Sequence, residues 1–159
     1  REGVVDEAAV LAALDAKKLA CYVCDFPSPH VNGHPHVIAL PHLGASTREA
    51  EDNCAAMVAD QVRDYLEDGN VQNAVNFPNI TMPRESSFRI AIANANVPNM
   101  VGQISTAMAN ANLNIHNMMN KSRGDMAYTL VDVDSAVPQA AVESIAGIEG
   151  VLAVRYLPA

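Results

Sequence analysis

The sequence predicts an α/β chain in two parts: the tail of a parallel α/β sheet with a long helix, then a small ferredoxin-like βαββαβ domain. Three features predict it. Two short apolar runs, Ala20-Cys21-Tyr22-Val23-Cys24 and Val37-Ile38-Ala39-Leu40, are continuous rather than alternating, as in strands covered on both faces. Residues 50–66 carry apolar side chains at three- and four-residue spacing. From Phe88 the pattern becomes strict alternation, and helical and strand patterns then follow one another to the end.

The elements follow in order. Asp6 caps a helix running to about Lys18, with Val10, Leu11 and Leu14 on one face. The run at 20–24 reads as a short buried strand. A loop over 26–36 holds three prolines and three of the five histidines, and a second strand over 37–40 stops at Pro41. Ser46-Thr47-Arg48-Glu49 is a capping box, in which the serine hydroxyl and the glutamate carboxylate each satisfy a free backbone donor. It opens an amphipathic helix with Ala50, Cys54, Met57, Val58, Val62, Tyr65 and Leu66 on one face, ended by Asp68-Gly69-Asn70. The polar stretch 70–86, with Pro78 and Pro83, leads to a domain boundary near 80–86. A strand begins at Phe88, and the loop 94–99 leads to a helix with Val101, Ile104, Met108 and Ala111 inward. Strands near 113–120 and 126–134 flank a turn at Ser122-Arg123-Gly124-Asp125. Pro138 starts a helix, and 151–157 is the last strand. The expected division is thus 1–45, 46–85 and 86–159.

Composition narrows the function. Half of the 159 residues are hydrophobic and 18% are charged, so the chain has material for a core. Net charge is −8, concentrated in residues 1–86, where six Lys/Arg stand against thirteen Asp/Glu. Nucleic-acid binding needs basic patches, and this balance argues against it. No apolar run approaches the roughly 20 residues of a membrane-crossing helix. Cys21, Cys24 and Cys54 are an odd set in a cytoplasmic-type composition, so reduced thiols are expected. Cys21-x-x-Cys24 within an apolar run reads as two packed thiols, and His30, His34 and His36 as a solvated loop rather than a metal cluster. No Gly-x-Gly-x-x-Gly occurs anywhere, so no dinucleotide turn is expected in these residues.

Two phrases resemble a known family. Val37-Ile38-Ala39-Leu40-Pro41-His42-Leu43-Gly44-Ala45-Ser46-Thr47 is similar to the strand-end signature of the D-2-hydroxyacid dehydrogenases, and Arg1-Glu2-Gly3-Val4-Val5-Asp6-Glu7 resembles the arginine-glycine phrase upstream of it. Asn73-Ala74-Val75-Asn76-Phe77-Pro78, followed directly by an ACT-like pattern, points to the phosphoglycerate dehydrogenase branch. The resemblance covers essentially the whole chain. It implies that residues 1–45 are the C-terminal remnant of a Rossmann-like, NAD-binding dehydrogenase domain. It implies further that 46–85 belong to the substrate domain and 86–159 form an ACT regulatory domain. The chain starts in mid-phrase at Arg1, and a C-terminal piece without activity of its own is expected.

The resemblance also implies roles. The parent enzyme would oxidise 3-phosphoglycerate with NAD to the 2-oxo acid, in L-serine biosynthesis. His42 would be the general acid/base, since imidazole titrates near neutrality. Arg1 would hold the substrate carboxylate through a bidentate fork. Relatives pair the histidine with a glutamate. Here the matching loop reads Asp25-Phe26-Pro27-Ser28-Pro29-His30. Asp25 is therefore the candidate for lying near the cofactor or the histidine. The ACT-like half would sense L-serine or a similar amino acid between chains of a homodimer or homotetramer, through Asn94, Asn96 and Asn114. Carboxamides suit a zwitterion because each offers a donor and an acceptor. Where relatives carry His and a Pro-Gly turn, this chain has Asn94 and Pro98-Asn99.

Overall fold

The computed structural model describes residues 3–158. The described chain forms two compact units, one ending at Ala56 and the other running from Met57. The first unit opens with helix α1 (Glu7–Asp15), whose first turn is capped by the Asp6 carboxylate, 3.0 Å from the Ala9 amide. The helix stops three residues short of the expected Lys18, because Lys17 takes a left-handed conformation (φ 58°). Strands β1 (Tyr22–Cys24) and β2 (Val37–Ala39) pair in parallel, with Cys24 opposite Ala39. The expected burial of β1 is not met: Cys21 and Val23 are exposed, as are Ile38 and Leu40, so this two-stranded sheet has an open face.

Helix α2 (Arg48–Asp68) runs from the first unit into the second. Its cap is Thr47 rather than Ser46, with the Thr47 hydroxyl accepting from the Ala50 amide at 3.1 Å. That shift of one residue puts Glu49 at the second helical position, so the capping box is not formed. No residue of α2 is buried, and Met57, Val58, Val62 and Leu66 remain about half exposed. The apolar stripe read from the sequence is real but uncovered.

The second unit contains β3 (Phe88–Ala95), α3 (Met100–Asn110), β4 (Ile115–Arg123), β5 (Met126–Val133), α4 (Gln139–Ala146) and β6 (Val151–Pro158). The four strands form one antiparallel sheet in the order β4-β5-β3-β6. This is the ferredoxin-like arrangement predicted from the alternation. A two-residue turn, Gly124-Asp125, joins β4 to β5, and glycine at its first position takes φ 58°. On one sheet face Ile90, Ile92, Val131 and Val133 meet Met100, Ile104 and Met108 of α3 and Ala141 and Ile145 of α4. Val101 does not join this core: it is exposed, and Met100 takes its place.

The other face carries Ala91, Tyr128, Leu130 and Leu157, covered by Val71, Ile80 and Met82. Val71 and Ile80 exchange both backbone hydrogen bonds at 2.9 Å, so the polar stretch after α2 folds back as a narrow loop. Gly69 makes the turn possible. At φ 73° it lies so close to the sheet that a β-carbon would fall 2.9 Å from the Leu157 side chain and 3.1 Å from that of Ala91.

Arg89 of β3 points into this second layer, fully buried beside the fully buried Asp132 of β5. Its Nε and Nη2 donate to the two carboxylate oxygens at 2.6 and 2.8 Å, in bidentate fashion. The remaining donors reach the carbonyls of Asp68, Met82 and Pro83 at 2.9–3.0 Å. Arg84 donates to the carbonyl of Glu67, and Arg155 to those of Tyr65 and Leu66. The last four carbonyls of α2, which have no partners within a helix, are thus each taken by a guanidinium. We predict that Arg89→Leu lowers the unfolding free energy by about 3–5 kcal/mol, because Asp132 is left charged and buried. The double variant Arg89→Leu/Asp132→Leu loses less than the sum of the single changes. Urea unfolding measures both, and a single-variant loss under about 1 kcal/mol would contradict the assignment.

Tyr128 has the opposite character. Its hydroxyl is the one buried side-chain polar atom without a hydrogen-bond partner among the described residues. Burial pushes its phenol well above the ordinary 10.0; the Tyr65 phenol adds to the rise and Arg155 opposes it. Below pH 10 the phenol is neutral folded or unfolded. Above it the unfolded chain ionises first, so stability falls as pH rises. Tyr128→Phe is predicted to leave stability at pH 7 unchanged or raised by up to about 1 kcal/mol. It should also remove part of the alkaline loss, and thermal melts from pH 7 to 11 read both.

Candidate functional site

Two groups of predicted site residues lie in the described structure, one in each unit. In the first unit parallel pairing explains the geometry. Because Cys24 stands opposite Ala39, the C-terminal ends of β1 and β2 lie side by side, tied by the Leu40 amide donating to the Cys24 carbonyl at 2.9 Å. Asp25 immediately follows β1 and His42 follows β2 by three residues. Their side chains meet, His42 Nδ1 to Asp25 Oδ2, at 3.1 Å. The Phe26 ring stands edge-on to the imidazole, with centroids 5.5 Å apart. Strand C-termini are where α/β sheets carry their reactive groups.

This pair is about half exposed on both sides, 57% for His42 and 51% for Asp25. At that exposure its contribution to stability is at most about 1 kcal/mol. The contact lies within ion-pair reach but lacks hydrogen-bond alignment, so it brings a carboxylate to the imidazole without fixing which ring nitrogen carries the proton. Asp25 and Phe26 also line a cleft of about 450 Å³, with Tyr22 and Ser28; His42 is not on its wall. Ser28 is hydrogen-bonded to Glu7 of α1 through its hydroxyl. Arg1, the expected substrate-binding arginine, lies outside the described residues.

The remaining sequence candidates in this unit are local. Cys21 is exposed and Cys24 half-buried, so the two do not form a packed thiol pair. His34 reaches Asp15 at 3.3 Å and tilts against His36. Among the described residues no group of three His, Cys, Asp or Glu side chains is placed to hold a metal.

In the second unit Asn94 and Asn96 sit where β3 runs into the loop before α3. Asn94 is buried; its Nδ2 donates to the Ala95 carbonyl at 2.8 Å and its Oδ1 accepts from the Thr129 hydroxyl at 3.4 Å. Asn96 is exposed and donates to the Gly124 carbonyl at 2.9 Å. Asn99 caps α3 in the left-handed conformation (φ 64°), with no side-chain hydrogen bond to the helix. Asn99 thus takes a positive-φ backbone that glycine adopts more readily. Asn94, Asn96, Asn99 and Asn120 line a small cavity of about 140 Å³ with Met100 and Gly102 at the start of α3.

Asn114 is not part of this group. Its amide donates to Asp134 at 3.3 Å, at the opposite end of the sheet. The nine residues of β4 stand between it and Gly124, a span of about 30 Å. Asn120 and Thr129 are the polar residues that sequence reasoning missed. They stand opposite one another on β4 and β5, and the signal was a threonine in an otherwise apolar inward row with Val131 and Val133.

By topology the second unit is a ferredoxin-like βαββαβ domain. Comparison with known proteins goes further for the whole chain. The D-3-phosphoglycerate dehydrogenase of Escherichia coli K12 is 30% identical over 99% of this chain, and D-3-phosphoglycerate dehydrogenase 1 of Saccharomyces cerevisiae is 28% identical over 91%. The chain is therefore a relative of the D-3-phosphoglycerate dehydrogenases along nearly its whole length, as its two phrases and linker indicated. It spans 42% of the length of the E. coli protein and 35% of the yeast one. No family model matches. Solved structures of related shape include the ACT domain from GTP pyrophosphokinase of Chlorobium tepidum. That match has TM-score 0.40 and 15% identity, covering 44% of this chain and 95% of that one. The regulatory subunit of aspartate kinase from Thermus thermophilus matches with TM-score 0.37 and 16% identity, covering 44% of this chain and 50% of that one.

Proposed function

We propose that this chain serves in a cytoplasmic NAD-dependent phosphoglycerate dehydrogenase, which oxidises 3-phosphoglycerate to 3-phosphohydroxypyruvate on the way to L-serine. On this reading its C-terminal unit is an ACT-type sensor of L-serine or a similar amino acid. The similarity to D-3-phosphoglycerate dehydrogenases across 99% of the chain carries this reading. The pairing of His42 with Asp25 supports it chemically. The His42 imidazole accepts the proton of the substrate's 2-hydroxyl, while the nearby Asp25 carboxylate offsets the positive charge that develops on the ring. NAD would supply the hydride acceptor. The residues present do not form a dinucleotide site by themselves, since the glycine-rich phrase is absent, and no step through the nucleotide is assigned to them. In the whole protein, His42→Asn is predicted to lower kcat for 3-phosphoglycerate oxidation by about 10²–10⁴. NADH absorbance reads this, and a change under threefold would remove His42 from the proton step.

The regulatory half of the proposal has its own support. Strand β4 is an edge strand, and Asn96 and Asn114 lie at its two ends. No amino acid can bridge about 30 Å within one chain. Antiparallel pairing of two β4 strands about a two-fold axis near Met119 would set Asn114 of a second copy beside Gly124 and Asn96 of the first. The α3 N-terminus then offers amide donors to the ligand carboxylate. A second reading, in which the chain acts only as a ligand-binding and dimerisation module, shares this geometry and differs in predicting no effect of His42. A different ACT-bearing D-2-hydroxyacid dehydrogenase is the other alternative, and the substrate preference of the whole protein separates it.

Complementation tests the shared site. Asn96→Ala and Asn114→Ala are each predicted to abolish calorimetric binding of L-serine. An equimolar, exchanged mixture should recover about a quarter of the wild-type sites, because each mixed dimer holds one intact site. No recovery, or full binding by either variant alone, would exclude a site shared between copies.

A further inference from the structure

Asn94, the buried asparagine of the candidate sensor, is held by two neighbours. Asn120 on β4 donates from Nδ2 to the Thr129 hydroxyl at 2.7 Å, and that hydroxyl lies 3.4 Å from Asn94 Oδ1. Asn94 Nδ2 then donates to the Ala95 carbonyl at 2.8 Å. Three polar side chains on three adjacent strands therefore form one line, from the exposed Asn120 on the sheet edge to the fully buried Thr129 and Asn94.

The direction of this line is forced by donor and acceptor chemistry. A backbone carbonyl can only accept, so the nitrogen of the Asn94 amide must face Ala95. Its oxygen must then face Thr129. A buried oxygen without a donor is costly, and among the described residues the donor that reaches it is the Thr129 hydroxyl. The hydroxyl can turn its proton toward Asn94 because Asn120 already supplies its acceptor side with an N–H. Once all three groups are satisfied, the second N–H of Asn94 has no acceptor among the described residues, and Asn94 lines the cavity at the start of α3.

We propose that Thr129 and Asn120 are positioning residues of the amino-acid site: they fix the Asn94 carboxamide so that it offers an N–H, never its oxygen, to the ligand carboxylate. This inference rests on reading the loop at 94–99 as an amino-acid site. It adds a preference that Asn94 alone would lack, since a free carboxamide can rotate and greet an ammonium or a carboxylate equally. Asn120 lies on the open edge strand, so pairing of that edge with a second copy would act on the orientation of Asn94 from outside.

Calorimetry with L-serine on the full 159-residue chain tests this, using Thr129→Val, Thr129→Ser and Asn120→Asp. Thr129→Val keeps the shape and removes the hydroxyl, and its Kd should rise about tenfold. Thr129→Ser restores the hydroxyl and should bind within about twofold of wild type. Asn120→Asp can only accept, so it draws the hydroxyl proton away from Asn94 and should weaken binding as Thr129→Val does. The side-chain amide resonances of Asn94 should shift on adding L-serine to wild type and Thr129→Ser, and stay in place in Thr129→Val. Wild-type affinity in Thr129→Val would overturn the positioning role and leave the site standing. Failure of the wild-type chain to bind L-serine would overturn the site and this inference together.

Discussion

A guanidinium removed from water needs five acceptors, and Arg89 finds all five. Two are the oxygens of Asp132 and three are backbone carbonyls, one of them the last carbonyl of helix α2. Moving both charges out of water costs several kcal/mol per ion, and Coulomb attraction offsets this only where the remaining hydrogen bonds are also satisfied. The second unit meets that condition by folding the loop 70–82 across the outer face of its sheet and bringing the last carbonyl of α2 to Arg89. Asp132 also accepts from the Glu85 amide at 3.2 Å, which fixes the chain just before β3. Arg84 and Arg155 complete the arrangement by taking the other end carbonyls of the helix, where its dipole is negative. The end of α2 is therefore held by charge and geometry, while its apolar stripe contributes nothing buried.

The two candidate sites differ in how much structure supports them. His42 and Asp25 are brought together by the register of two short strands and stay half exposed, so their geometry rests on a few local hydrogen bonds. Asn94 belongs to the core of a four-stranded sheet, and its amide is held from both sides. The His42–Asp25 contact is thus the more exposed of the two, and the surroundings of Asn94 are the more fully built.

Much of the fold was legible in the sequence, because periodicity reports directly on which faces are buried. Phe88, Ile90 and Ile92 alternating with Arg89, Ala91 and Ala93 defined β3, and the βαββαβ order followed from the punctuation at Pro98, Gly124 and Pro138. The helix cap was legible only to within one residue, since Ser46 and Thr47 are equally good caps and tertiary context chose between them. Arg89 read as the polar half of an alternating strand. Its burial depends on Asp132, 43 residues away, a pairing that no local pattern reveals. The covering role of Val71, Ile80 and Met82 was hidden for the same reason, inside a stretch that reads as polar linker. Of the candidate sites, His42 was legible through its phrase and Asp25 through its place after a strand. The separation of Asn114 from Asn94 and Asn96 appears only once β4 is laid out as a straight edge. The Asn120–Thr129 link needs the register of β4 against β5.

We propose that an amino-acid site is completed only between two copies of the chain, across the β4 edge. A crystal structure of the chain grown with L-serine tests it most directly. The expected result is two β4 strands paired antiparallel about Met119, with serine held between Asn96 of one copy and Asn114 of the other. Serine bound wholly within a single copy, or copies joined along β6 with the Asn96 end empty, would contradict it.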